Sequence, residues 1–188
     1  MRGAPTQALK PSMNLGVKVF MIELNIRVIP ASLEQAPIVA QLYELYTYEM
    51  TDLADFDIND NGYFGYDELP LYWKDSNRHP YLVLVNKKLA GFVLIQNGSP
   101  IEIEPDIWDV AEFFIMRKYR KKGVGQFVIQ QIWRELKGQW QVRVWDNNKT
   151  AYVFWETVIG NFTKKIIIPT RRKYQGHDGL LVYKFYSI

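Results

Sequence analysis

A strand-like run, Glu112 to Met116, leads through the turn Arg120-Lys121-Lys122-Gly123-Val124-Gly125 into an amphipathic helical run from Gly125 to Leu136. A chain built this way commits to a sheet with a helix laid on it, because the apolar stripe of such a helix has to be covered. The junction also carries chemistry. Glycines let a backbone approach a ligand closely, the first N–H groups of the helix point at an anion, and Arg120, Lys121 and Lys122 add positive charge. The turn therefore reads as a cradle for a phosphate-bearing ligand.

The rest of the chain supplies the partners of that unit. A first strand is expected near Ile22 to Ile29, preceded by a loose extension over residues 1–20 in which Met13, like Met21 beyond it, is a candidate start. Ser32-Leu33-Glu34-Gln35 has capping-box spacing, and Ile38, Val39, Leu42, Leu45 and Tyr46 form a helical apolar stripe, with Pro37 either within the first turn or restarting the helix. Thr51 to Asp67 reads as an acidic loop or broken helix, followed by a short aromatic segment around Leu69 to Trp73. Tyr81 to Val85 and Leu89 to Gln96 flank Asn86-Lys87-Lys88, a hairpin signal, and a further strand is expected over Trp108 to Met116. Gly138 should close the helix after the cradle, ahead of a strand from Trp140 to Trp145. Asn148 should cap a second helix that Gly160 stops, with last strands near Lys164 to Ile168 and Leu180 to Tyr186. The order predicts one α/β domain over residues 21–188, a mixed, mostly antiparallel sheet of six to seven strands with helices on both faces.

Composition narrows the function. There is no cysteine, so disulfides, thiolate metal sites and cysteine nucleophiles are excluded and any thiol must come from a ligand. No apolar run approaches the ~20 residues of a membrane helix, and no compact signal-like segment is present, so the expectation is a cytoplasmic protein with no membrane partner. Charge is segregated: between Arg27 and Lys74 there are nine acids and no Lys or Arg, a formal −9, which leaves +12 elsewhere to give the total of +3. One part of the molecule should repel anions and another attract them.

Two familiar phosphate motifs fail at the cradle. The P-loop needs glycines five apart followed by Lys and Ser/Thr, and the dinucleotide fingerprint needs a further glycine that Gly123 to Val128 lacks. What remains is Arg-x-x-Gly-x-Gly, at Arg120, Gly123 and Gly125. Downstream, Asn148-Lys149-Thr150-Ala151-Tyr152-Val153-Phe154-Trp155 matches Asn-x-x-Ala-x-x-Phe-Tyr except at its last position. Together these resemble the GNAT superfamily of N-acetyltransferases, which use acetyl-CoA as cosubstrate. The resemblance implies that the strand end, Phe114, Ile115, Met116 and Arg117, offers backbone groups to the pantetheine arm. It places the pyrophosphate on the amides of Lys121, Lys122, Gly123, Val124, Gly125 and Gln126, with Arg120 supporting the turn. It also implies that this strand splays from the next, leaving a gap for the thioester, with Asn148 helping to hold the coenzyme.

Acetyl transfer to an amine needs a base, and Glu112 is the first candidate, since a carboxylate buried in an apolar strand would have its pKa raised. Asp109 is the second, and a solvent-facing Glu112 is the plain alternative. Family members often place an acid Tyr where this chain has Trp155, which leaves Tyr152, one turn earlier, as a substitute. The acceptor is expected to be a small-molecule or peptide amine, cationic because of the −9 segment. An acyl-CoA binder without catalysis is an alternative, and a homodimer is left open. Asp57 to Glu68 also satisfies a calcium-loop pattern with Gly62 at its turn, although Phe64 replaces an aliphatic residue and Pro70 interrupts the following helix. His79 and His177 are too few and too far apart to suggest a metal site, so none is expected. The aromatics are spread over every element rather than interleaved with basic residues, which argues against nucleic acid.

Overall fold

A computed structural model describes residues 24–101, 106–174 and 177–188, so the expectations for residues 1–20 and for the start of the first strand lie outside the described residues. The elements are β1 (Ile26–Pro30), α1 (Ala36–Met50), β2 (Arg78–Val85), β3 (Lys88–Asn97), β4 (Ile107–Ile115), α2 (Val124–Glu135), β5 (Gly138–Trp145), α3 (Lys149–Thr163), β6 (Thr170–Tyr174) and β7 (His177–Ser187). Short 3-10 segments stand at Leu33–Gln35, Leu69–Trp73 and Arg117–Tyr119. The strands form one seven-stranded sheet in the order β1-β2-β3-β4-β5-β7-β6. Every neighbouring pair is antiparallel except β4 and β5. This is the expected fold class.

Both faces of the sheet are covered. Side chains alternate along β2, so Tyr81, Val83 and Val85 enter the core beneath α2 and α3, while Leu82 enters the one beneath α1. Trp133 of α2 and Trp155 of α3 belong to the larger core, and Val39 and Leu42 of α1 pack with Phe92, Leu94 and Phe114 in the smaller. The hairpin is the sharpest agreement with the sequence. Asn86 and Lys87 both take positive φ, 51° and 64°, as a two-residue turn matched to the twist of its strands requires. The Ser32–Gln35 spacing also closes as expected, the Ser32 N–H donating to Gln35 Oε1 at 3.0 Å.

Three boundaries differ from expectation. Gly138 does not close α2, which ends at Glu135, but opens β5 with φ 128° beside the Trp108 ring. Gly160 does not stop α3; the helix continues to Thr163, drawn on by Phe162, whose ring packs 5.1 Å from Trp133. The last-but-one strand is Thr170–Tyr174 rather than the Lys164 to Ile168 run, because Lys164 turns left-handed (φ 57°) and leaves Ile166 and Ile168 in solvent. Leu45, expected on the buried stripe of α1, is exposed as well.

Candidate active site

β4 and β5 start as a parallel pair, from Ile107 opposite Gln139 to Val110 opposite Val142, and then part, although β4 runs on to Ile115 and β5 to Trp145. β4 bulges where they part: Ile95 faces Val110 and Leu94 faces Glu112, so Ala111 is an extra residue. A bulge bends its strand and changes which face the following side chains take. Strict alternation would put Glu112 on the face of Val110, in the core beneath α2 and α3. Instead Glu112 turns toward α1, where the Tyr46 hydroxyl lies within hydrogen-bonding reach. The splayed strands expected at the cradle are thus present, and the bulge makes the fork.

A cleft of about 420 Å³ occupies the fork, lined among others by Tyr43 and Tyr46 from α1, Tyr66 and Glu68 from the acidic loop, Arg143 from β5 and Trp155 from α3. Glu112 is half-buried on its wall. Burial pushes its carboxyl up to about 7, with the negative Asp109 and Glu68 acting the same way, while Tyr46 and the Arg143 cation pull it down. A carboxyl in that range can exchange a proton at neutral pH. Tyr46 is pushed upward by burial and by Glu112, so it keeps its proton there.

Asp109, the second candidate base, is committed elsewhere. It is fully buried and receives Arg143 Nε at 2.9 Å, Arg143 Nη2 at 2.8 Å, Gln141 Nε2 at 2.9 Å and Gln96 Nε2 at 3.3 Å. Four donors fill the capacity of a carboxylate. Tyr152 is not brought to the cleft either: its hydroxyl donates to Glu156 Oε1 at 3.3 Å and its ring faces Tyr183 on β7. Trp155 does line the cleft, packed 5.3 Å from Phe113. Tyr46 and Arg143 escaped the sequence reading, because a tyrosine on a helical stripe and an arginine in a strand carry no signal until the fold brings them together.

The cradle follows directly. Met116 N–H donates to Ala90 C=O at 2.8 Å, so by the alternation of an antiparallel ladder Phe113 and Ile115 present their backbone groups to the open side of the fork. Phe114 is buried beneath α1, with the Arg120 guanidinium 5.5 Å from its ring. Arg120 also donates to Ile115 C=O at 2.6 Å and to Glu49 Oε2 at 2.7 Å, tying the turn to the strand and to α1. Arg117, largely exposed, meets the same Glu49 at 3.1 Å. Lys121 (φ 58°) and Gly123 (φ 76°) both turn left-handed, and Lys121 and Lys122 lie in solvent. The first bond of α2 runs from Phe127 N–H to Gly123 C=O, which leaves the N–H groups of Val124, Gly125 and Gln126 without a helical acceptor. Val124 buries its side chain in the core, and a Cβ on Gly125 would meet the Phe154 ring at 3.1 Å, so that glycine serves the closeness of α2 to α3. Asn148 caps α3, accepting from Ala151 N–H at 3.0 Å, and lines the cleft. Free helix-start amides beside an open strand edge and a cleft suit a long ligand with phosphate at one end.

Three acids of the −9 segment serve the structure. Glu44 accepts from the N–H groups of Phe64 and Gly65, Glu49 holds the two arginines, and Glu68 meets Arg78 at 2.8 Å. Of the nine acids, Glu68 alone lines the cleft among the described residues. The calcium pattern gains no helix on its far side, only the 3-10 segment Leu69–Trp73. Among the described residues no group of three or more His, Asp or Glu is placed to hold a metal, and no helix is long and apolar enough to cross a membrane.

The sequence model of the acetyltransferase (GNAT) family matches residues 39–160, more than half of the chain. Among solved structures, the fold is similar to an acetyltransferase from Thermus thermophilus (TM-score 0.62, 15% identity, 86% of this chain and 96% of that one). It is also similar to an acetyltransferase from Streptococcus agalactiae (0.60, 16%, 86% and 98%) and to the GNAT domain of S. lividans PAT (0.58, 16%, 86% and 90%). No curated protein matches by sequence. The cradle, the forked sheet and the matched residues lead to one statement of kinship: this chain belongs to the acetyltransferase (GNAT) family.

Proposed function

We propose that the protein is an acetyl-CoA-dependent N-acetyltransferase whose acceptor is a primary amine that arrives as a cation. The observation that carries this is the place of Glu112: a carboxyl with its pKa near 7, on the wall of a cleft that opens in a strand fork beside a phosphate cradle. Acetyl-CoA, when bound, supplies the acetyl thioester. The amides of Val124, Gly125 and Gln126 hold its pyrophosphate, Lys121 and Lys122 add charge, and the open edge at Phe113 and Ile115 receives the pantetheine arm. Glu112 takes a proton from the acceptor's ammonium, directly or through one water, and so makes the nitrogen nucleophilic. As the nitrogen bonds the acetyl carbon and the carbon–sulfur bond breaks, Tyr46 is the hydroxyl available to give its proton to the departing sulfur and take one from the nitrogen, a role Trp155 cannot fill.

The cleft suits a cation in two ways. Glu112 and Glu68 supply negative charge, and the rings of Tyr43, Tyr46 and Tyr66 line the cleft, where an aromatic face turned to a desolvated ammonium is worth about 0.5–2 kcal/mol. Small-molecule and peptide amines both meet that description. Trp155 at the usual tyrosine position favours a second reading, an acyl-CoA binder without turnover. Thermal shift with acetyl-CoA, followed by thiol release over a panel of amines, separates the two. Stabilisation with turnover that Glu112→Gln abolishes is expected; stabilisation without turnover on any amine selects the binder, and no stabilisation defeats both. The absence of cysteine leaves a thiol reagent with only released coenzyme to report.

A further inference from the structure

A buried polar knot sits at the vertex of the fork. Asp109 and Gln141 face each other one position before the β4–β5 ladder ends at Val110 and Val142, and Arg143 is the first β5 residue past that end. Arg143 reaches back to grip both oxygens of Asp109, while Gln141 bonds Asp109 and also Ser99 Oγ at 3.0 Å. Asp109 is wholly buried, and Arg143 is nearly so but lines the cleft. The bulge at Ala111 turns Glu112 into the same cleft. An ion pair costs much desolvation to bury, and a methionine–leucine contact in its place would hold the strands as well. Its distinctive property here is being a pair of opposite charges fixed beside the carboxyl that exchanges the proton.

We propose that Asp109 and Arg143 are positioning residues for Glu112: the pair pins the vertex of the fork and presents Glu112 with a balanced charge, so that this carboxyl can be either protonated or ionised while the cleft is filled. The inference concerns the base of the reaction proposed above, but its first readout needs no turnover. Other groups face Glu112 too. Tyr43 and Tyr46 stand on α1, Tyr66 and Glu68 on the acidic loop, and Tyr72 on the 3-10 segment after it, while Tyr174 of β6 stands behind Arg143. Burial pushes Tyr43, Tyr46, Tyr66 and Tyr72 upward, so they stay neutral at the pH of interest, and Glu68, shared with Arg78, is common to every variant compared below. Asp109 and Arg143 are therefore the charges whose removal should be felt, and with opposite sign.

The test is a ¹³C NMR titration of glutamate side-chain carboxyls, with the Glu112 resonance assigned by its loss in Glu112→Gln. In the unsubstituted protein the midpoint should lie near 7. Asp109→Asn leaves the arginine uncompensated and should lower the midpoint by about one unit or more; Arg143→Met leaves the aspartate and should raise it by a similar amount. The double variant should return it to within about half a unit of the original. The acid limb of the rate profile should move with each. Midpoints that shift in the same direction in both single variants, or that do not move, overturn the proposal. Should Arg143→Met not fold, Asp109→Asn and the double variant decide alone: a fall followed by a return supports the pair, and any other result refutes it. A titration that behaves as expected in a protein that acetylates no amine would defeat the proposed function and leave the role of the pair standing.

Discussion

Replacing Glu112 by Gln should make the protein more stable and, on the function proposed, inactive. The folded pKa of about 7 lies above the 4.5 of an unperturbed Glu. Between those values the folded state holds a proton that the unfolded state has released, so this group makes stability fall as pH rises from 4.5 to 7 and adds no further slope above. At 1.36 kcal/mol per unit, the cost of the charge grows by about 2.5 kcal/mol between pH 5 and pH 8. Water in the cleft makes that a ceiling. Gln is isosteric, keeps an oxygen for Tyr46 and carries no charge, so it escapes the cost. Urea unfolding of both proteins at pH 5 and pH 8 isolates the effect, since all other groups are common to the two. The advantage of Glu112→Gln should be larger at pH 8 than at pH 5 by up to about 2.5 kcal/mol, or roughly 5–10 °C in Tm for a domain of this size. Curves that differ by the same amount at both pH values would show that Glu112 is not held in a costly ionised state, and the argument for it as the base would go with that.

The other expectations concern the cradle and the acid. Gly125→Ala should destabilise by about 1–3 kcal/mol through the Phe154 ring, whereas Gly123→Ala, whose Cβ would meet open space at φ 76°, should cost only the left-handed strain of about 1–2 kcal/mol; thermal melts compare the two. Arg120→Ala releases the turn from Ile115 C=O and Glu49, and steady-state kinetics should show KM for acetyl-CoA raised about tenfold (~1.4 kcal/mol) with kcat little changed. Tyr46→Phe should lower kcat by about 100-fold, while Tyr152→Phe, off the cleft, should leave it within a factor of two.

Local signals were legible wherever the chain itself enforces them. The Asn86-Lys87 turn, the Pro37 helix start and the Asn148 cap each rest on contacts within a few residues, and each stands where the sequence puts it. The misplaced elements are those decided by distant partners. Ile166 to Ile168 has strand propensity but pairs with no strand among the described residues, Ile167 packing on the core instead, whereas Thr170–Tyr174, with three basic residues, pairs with β7 at the sheet edge. Edge strands tolerate and even favour charge, since one side faces water. Gly160 reads as a stop signal, and the burial of Phe162 against Trp133 and Phe185 outweighs it.

The basic glycine turn was legible in the sequence and the surroundings of Glu112 were not, and the reason is the kind of geometry each needs. A cradle is made of consecutive residues, so Arg120 to Gln126 announces itself in one line of sequence. The proposed base is placed by a register shift. Glu112 faces the cleft because Ala111 is an unpaired residue on β4, a fact of strand pairing with β3 that nothing near Glu112 encodes. The charges around it are equally non-local. The −9 segment predicts an acidic wall, but Glu44 and Glu49 are spent on loop amides and on the arginines of the cradle, leaving Glu68 at the cleft. The proposed attraction for a cationic acceptor therefore rests on two carboxyls, Glu68 and Glu112, and on the tyrosines that line the cleft with them. On the proposed function one of those carboxyls is also the base, so drawing in the ammonium and taking its proton would draw on the same charge. Acceptor affinity and turnover should then rise together as pH climbs through 7, until the acceptor itself loses its proton.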